Sequence, residues 1–301
     1  MSGVPVAAEF KAGDRLGPYR LEQVLGEGAM GIVFKAARVA DGKVVALKVL
    51  RAELSGDETY RRRFAREGQI AGGLSHRHLV SVVDAGEADG HPYLATRYVL
   101  GHTLAAVLET DGPLPPTPLL RIMAEIATAL DTLHSEGLVH RDVKPANIMV
   151  DESGTSFLTD FGLAKGAAAT VLTTPGHVVG TLDYLAPEVI KGQPAGPPAD
   201  IYALGCVTYE CIAGRPPFSG GSFVEATLAS LEEEPADPCA DRDDLPPALS
   251  FAVLQALAKS PGDRPPTAAA YALMLRISAR DRKSTRLNSS HVRLSRMPSS
   301  A

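Results

Sequence analysis

Two short acidic motifs in this chain are the first features that call for a chemical explanation. The run VHRDVKPANIMV (139–150) places Asp142 just after Arg141, with Lys144 two positions on and Asn147 following; SFLTDFGLAK (156–165) then supplies Asp160. The pattern H-R-D-x-x-x-x-N followed by D-F-G splits two tasks that one carboxylate cannot perform together. Moving a phosphoryl group to a hydroxyl requires a carboxylate beside the acceptor oxygen, and separately hard oxygen ligands for a divalent cation between the phosphates. Asp142 suits the first task, and Asn147 and Asp160 suit the second. Lys144 is placed to offset charge developing on the transferred group.

Upstream residues fit the same chemistry. LGEGAMGIVFKA (25–36) gives G-x-G-x-x-G-x-V through Gly26, Glu27, Gly28, Gly31 and Val33. Strand-like runs flank it on both sides, so the helix start that a dinucleotide fingerprint needs is missing. Taken alone it reads equally as a hairpin flap over phosphates or as a glycine-rich hairpin with no ligand. VALKVL sets Lys48 within an apolar run, a costly place for an ammonium unless it is paired. Glu67, in RRRFAREGQI, is a partner if that helix packs Phe64 and Ile70 inward. A purely structural ion pair competes with this reading; beside a flap, the pair instead positions α- and β-phosphates.

These side chains need a sheet and a set of helices to hold them. Residues 19–98 contain five strand-like runs (19–25, 31–39, 43–50, 79–87 and 91–99) and one helical stretch, 59–74. They predict a five-stranded antiparallel sheet with one helix. From Leu104 onward helical spacing dominates, over 117–135 (Leu120, Met123, Ile126, Ala127, Leu130), 199–213, 223–233, 249–259 and 267–279. The segment 99–103, with Gly101, is a short connection about which two lobes can rotate. The expected division is a lead-in over 1–18, a small lobe over 19–98, a larger helical lobe over 99–280, and a tail over 281–301.

Together these motifs resemble the catalytic domain of the eukaryotic-like Ser/Thr protein kinases of bacteria, across nearly the whole stretch from Gly17 to Ala279. The resemblance implies an α+β, bilobal protein-kinase fold that uses ATP and Mg²⁺, with Mn²⁺ as an alternative ion. It implies that Lys48 and Glu67 form the activating pair, that Asp142 is the catalytic base and that Asn147 and Asp160 hold the metal. Adenine would bind the backbone of Arg97 and Val99, with Thr96 as gatekeeper and Val33, Ala46 and Met149 around the ring. Arg97 stands where relatives often carry an acid, which would put a cation beside adenine and ribose. Lys144 and Thr181 mark the serine/threonine version of the loop. Arg141 would pair with a phosphorylated loop residue, with Thr170, Thr173 and Thr174 as candidates. Glu188 of Ala186-Pro187-Glu188 would pair with Arg264, and Asp200 would brace the catalytic-loop backbone. The implied partners are proteins with Ser/Thr acceptors, together with a homodimer through the small lobe. A nucleotide-binding, pseudokinase-like scaffold is the alternative, yet Lys48, Asp142, Asn147 and Asp160 all stand. A small-molecule phosphotransferase would lack the Ala186-Pro187-Glu188 and Asp200 framework.

Composition narrows the field further. The chain has 301 residues, 45% hydrophobic and 22% charged, enough to bury a substantial core, which excludes disordered and disulfide-scaffold classes. Its three cysteines are irregularly spaced; Cys206 and Cys211 read as buried core residues. A net charge of −5 gives no general attraction to nucleic acid or anionic lipid. With no long apolar run and no leader-like start, the expectation is a cytoplasmic chain; bacterial members of the family it resembles frequently carry a membrane helix after the kinase domain, which leaves open whether a longer native protein is anchored to the cell membrane. His76 and His78 have no third ligand beside them and read as loop residues, and Glu232, Glu233 and Glu234 as a solvated face. Basic residues crowd the last segment (Arg282, Lys283, Arg286, Arg293, Arg296). Its residues 281–291 resemble a translated DNA-sequencing adapter, so the tail is read as an artefact with the true sequence continuing past Arg280.

Overall fold

The structure, a computed structural model, describes residues 10–28, 31–55, 57–58, 61–62, 64–65, 68, 72–160, 182–219 and 223–280. Alternating apolar residues build its first layer. Strands β1 (Arg15–Leu16), β2 (Tyr19–Glu27), β3 (Gly31–Arg38), β4 (Val44–Leu50), β5 (Val82–Ala88) and β6 (His91–Arg97) pair antiparallel in the order β1-β2-β3-β4-β6-β5. The sheet therefore has six strands where the sequence predicted five. The extra strand is a two-residue edge, too short to show a period. One face carries Phe34, Ala36, Val45, Leu47, Val49, Tyr93 and Ala95, which form a core with Leu16, Tyr19 and Leu21. Because strand side chains alternate, Val33, Ala46, Lys48 and Thr96 all fall on the opposite face. The register agrees, pairing Val33 with Lys48 and Ala46 with Thr96.

A short helix, α1 (Ala52–Ser55), follows β4. Of the helical stretch expected over 59–74, Phe64 is buried against Leu50 and Leu94; Glu67 and Ile70 lie outside the described residues.

The connection leads into a second sheet that the sequence reading missed, β7 (Gly101–Thr103), β8 (Ile148–Asp151) and β9 (Ser156–Leu158). A side chain at Gly101 would come within 2.1 Å of the Val150 carbonyl, so glycine is required for β7 to approach β8. Segment 78–80 ties this sheet to the first: Leu158 N–H donates to His78 O (2.8 Å), Val80 N–H to Leu158 O (3.0 Å), and the buried His78 ring bonds Ser156 O.

Helices α2 (Leu104–Asp111), α3 (Pro116–Ser135), α4 (Pro187–Ile190), α5 (Pro197–Ala213), α6 (Phe223–Glu232), α7 (Pro247–Ala256) and α8 (Ala268–Ser278) complete the fold. Helix α3 buries one stripe, including Ile122, Met123, Ile126, Leu130 and Leu133. Helix α5 is buried on nearly every side from Ala199 to Ile212, the signature of a central helix. Cys206 and Cys211 sit inside it, and burial pushes both thiols up. Thr103 caps α2 and Thr267 caps α8 through hydroxyls that accept the Ala106 and Ala270 N–H groups.

Candidate active site

The segment 140–147 forms a tight turn entering β8, and its geometry depends on buried acceptors. Residues Pro145–Asn147 make a 3₁₀ turn. From it, the Asn147 side-chain amide donates to the Asp142 carbonyl (2.8 Å) and to Asp142 Oδ2 (2.9 Å). Lys144 Nζ lies 3.3 Å from the same carboxylate oxygen. The carboxylate is thus fixed from two sides, and the Asn147 amide oxygen is left as a hard acceptor.

One residue before Asp142 the backbone is strained. Arg141 has φ of +66°, a left-handed conformation that is costly for a residue with a Cβ. Asp200, 1% exposed near the start of α5, compensates: its Oδ1 accepts the Arg141 N–H and its Oδ2 the His140 N–H, both at 2.8 Å. His134 Nε2, on α3, bonds the same carboxylate at 2.8 Å. The His140 ring is buried. Asp142 N–H donates to its Nδ1 (3.3 Å) while Nε2 faces the Thr159 carbonyl (3.0 Å), so the proton sits on Nε2. Burial holds the imidazole below its usual pKa and keeps it neutral, as that pairing requires.

Thr159 joins the two acidic motifs, since its N–H and hydroxyl both donate to the Asn147 carbonyl (2.9 and 3.1 Å). Sequence reasoning missed it; its place beside Asp160 was the available signal. Asp160 also has positive φ, +50°, and its Oδ1 meets Lys48 Nζ at 3.1 Å. The lysine strand and the second acidic motif therefore converge, although 112 residues separate them. Glu67, the expected partner of Lys48, lies outside the described residues, as do Thr170, Thr173, Thr174 and Thr181.

Above Lys48, β2 and β3 form the flap. A side chain at Gly31 would strike the Val49 carbonyl at 2.3 Å, so packing demands that glycine. At Gly26 none of the described atoms lies within 4 Å, and at Gly28 the nearest is 3.8 Å away. Packing among the described residues asks for neither glycine, and the space beside them suits the close approach of a phosphate group to the backbone.

Arg97 departs from expectation. Alternation sends it to the side opposite Thr96, and its guanidinium stacks on Phe157, 4.3 Å from the ring centre. It lines a cleft of about 400 Å³ with Tyr98, Leu100, Asp151 and Ser153. The cation therefore does not stand beside the face that carries Val33, Ala46, Lys48 and Thr96. Val99 lies in the connection, and Met149 sits in β8 opposite Thr103.

The Glu188–Arg264 pairing expected from the sequence is present: Arg264 Nη1 and Nη2 each donate to Glu188 at 2.7 Å, and both side chains are buried.

The protein kinase domain family matches residues 19–274. A probable serine/threonine-protein kinase of Corynebacterium efficiens is 40% identical over 273 residues, covering 87% of this chain and 41% of that protein. PknE, a serine/threonine-protein kinase of Mycobacterium tuberculosis, is 40% identical over 257 residues, covering 85% of this chain and 45% of its own length. The chain thus spans less than half the length of these curated relatives. Among solved structures, a cysteine-to-alanine mutant of the Mycobacterium tuberculosis PknI kinase domain superposes with a TM-score of 0.72 at 31% identity, covering 90% of this chain and 100% of that one. With its six-stranded first sheet, its helical second lobe and its Asp142 and Asp160 motifs, the chain belongs to the protein kinase domain family, as a catalytic domain of the bacterial, eukaryotic-like serine/threonine type.

Proposed function

We propose that this chain transfers the γ-phosphoryl group of ATP to serine or threonine hydroxyls on proteins. The observation that carries the reading is the convergence of Lys48 on Asp160 (3.1 Å) beside a carboxylate, Asp142, held by Asn147 and Lys144.

In this reading the acceptor hydroxyl lies against Asp142. Its oxygen bonds to the γ-phosphorus, the bond from that phosphorus to the β–γ bridging oxygen breaks, and the hydroxyl proton passes to the Asp142 carboxylate. Asn147 and Lys144 hold the base in place, and Lys144 offsets charge on the equatorial oxygens. Lys48 positions the α- and β-phosphates beneath the flap of Gly26, Glu27, Gly28, Gly31 and Val33. The Asn147 amide oxygen and the Asp160 carboxylate are the hard donors that fit Mg²⁺, with Mn²⁺ the alternative; bound there, the ion neutralises charge on the β- and γ-phosphates. Adenine would rest on the face of Ala46 and Thr96 and bond the backbone of Arg97 and Val99, with Met149 below.

Arg141, whose side chain is exposed, would receive a phosphorylated loop threonine from among Thr170, Thr173 and Thr174, while Thr181 would contact Asp142 and Lys144 and leave room for a small alcohol. Protein acceptors, a cytoplasmic active site and a small-lobe homodimer complete the proposal.

Labelled ATP and Mg²⁺ test it, with the chain itself and a basic protein as acceptors. Asp142→Asn should lower transfer by about 10²–10⁴-fold while nucleotide still binds. Nucleotide binding without transfer in the unaltered protein would favour the scaffold reading instead.

A further inference from the structure

The tip of the flap stands away from the core: from Gln23 to Glu27 every residue of β2 is exposed. Its ladder to β3 is also interrupted, with register shifts between Leu21 and Gln23 and between Val24 and Gly26. Irregular pairing of this kind bends a strand and loosens its hold on the neighbour. Strand pairing alone therefore sets the height of the flap poorly.

A cross-strand contact supplies what the ladder lacks. Arg51 follows β4, the strand of Lys48. Its Nε donates to the Gly28 carbonyl and its Nη2 to Glu27 Oε2, each at 3.1 Å. Its own backbone is anchored, because the Arg51 carbonyl accepts from Leu54 N–H (3.0 Å), Ser55 N–H (2.9 Å) and the Ser55 hydroxyl (2.9 Å). One guanidinium thus grips two consecutive flap residues from the strand that carries the phosphate-positioning lysine.

Resting on the kinase reading above, we propose that Arg51 is a positioning residue that latches the glycine flap over the nucleotide phosphates through Glu27 and Gly28. The latch sets affinity for ATP and leaves the chemical step to Asp142. It also gives Glu27 a task, since its carboxylate receives the Arg51 guanidinium.

A competing role for Arg51 is direct attraction of the phosphates, and the two roles differ in sign. Glu27→Gln frees the arginine. The latch predicts that KM for ATP then rises, whereas direct attraction predicts that it falls. In the full chain, Arg51→Ala and Glu27→Gln should each raise KM for ATP by about three- to ten-fold, the range of an exposed ion pair with one charge-assisted hydrogen bond, with kcat changing much less. The exchange Arg51→Glu with Glu27→Arg should recover part of the loss. Arg62→Ala, which removes the exposed Arg62–Glu58 pair, should leave KM unaltered. Binding of a fluorescent ATP analogue with Mg²⁺, and thermal melting of each variant, separate lost affinity from lost folding. An unchanged KM in both single variants, or a fall in Glu27→Gln, overturns the latch. Absence of transfer in the unaltered chain would instead overturn the kinase reading, with analogue binding still deciding the latch.

Discussion

Arg264 uses every N–H group it has. Nε donates to Ala258 O, Nη1 to Glu188 and Pro198 O, and Nη2 to Glu188 and Lys259 O, while the guanidinium lies 4.9 Å from the Tyr202 ring centre. Its side chain is 0% exposed and that of Glu188 8%. Removing one partner of such a pair strands a buried charge. Arg264→Met should therefore cost about 3–5 kcal/mol, read as a lower urea midpoint, and Arg264→Lys should recover little because an ammonium cannot reproduce the planar five-donor fork. A midpoint within error of the unaltered protein would show that the pair is dispensable. At this scale the sequence was most legible where interacting side chains lie close together in the chain: HRDVKPAN holds Asp142 together with Lys144 and Asn147, the two residues that contact its carboxylate. Direction was less legible. The turn of Arg97 toward Phe157 follows from strand phase and from a ring on a strand the sequence reading did not detect. The approach of Lys48 to Asp160 depends on how the two sheets meet.

At the scale of elements, α5 sets the turn at 140–147. One carboxylate near its start accepts two backbone N–H groups and an imidazole. An amide at that position has a single acceptor oxygen and would aim its own N–H groups at a donor. Asp200→Asn should thus relax the strained Arg141 backbone and lower kcat by at least tenfold, as for a displaced catalytic group, with KM for ATP nearly unchanged because the flap is remote. A parallel loss of nucleotide affinity would argue for general unfolding instead. Long periodic helices such as α3 and α5 were legible from their spacing, with starts shifted by one or two residues where proline opens the first turn. Strands β7 and β9, three residues each, were not, because so short a segment has no period and forms only when its partners are in place.

For the whole molecule, the larger core runs continuously from α3 through α5 to α8, and two acids are half-buried at its edge. Burial pushes the Glu210 carboxyl up, with the charge of Asp183 adding to it and the Tyr184 hydroxyl, which donates at 2.5 Å, opposing it. Asp183 is likewise pushed up by burial. Between the ordinary glutamate value of 4.5 and the raised one, the folded chain binds more protons than the unfolded chain, so this contribution is full below that window and lost as pH rises through it. Glu210→Gln keeps an acceptor for Tyr184 and removes the titration. Its stability relative to the unaltered protein should increase from pH 4.5 to neutrality, measured by urea unfolding across that range; parallel curves would refute the assignment. That the fold is bilobal was legible from the switch between strand and helix periods, while the closure of one lobe on the other through residues 78–80 was not.

The sequence separations described above also bear on how the protein is made. The small lobe ends near Arg97, but the acid that braces His140 lies 60 residues after it, and Arg264 lies 76 residues after Glu188. At roughly 5–20 residues per second, those 76 residues take on the order of 4–15 s to synthesise. Both strands of the glycine flap are therefore synthesised well before the carboxylate that holds the 140–147 turn, and the small lobe has its full complement of strands while that turn still lacks its brace.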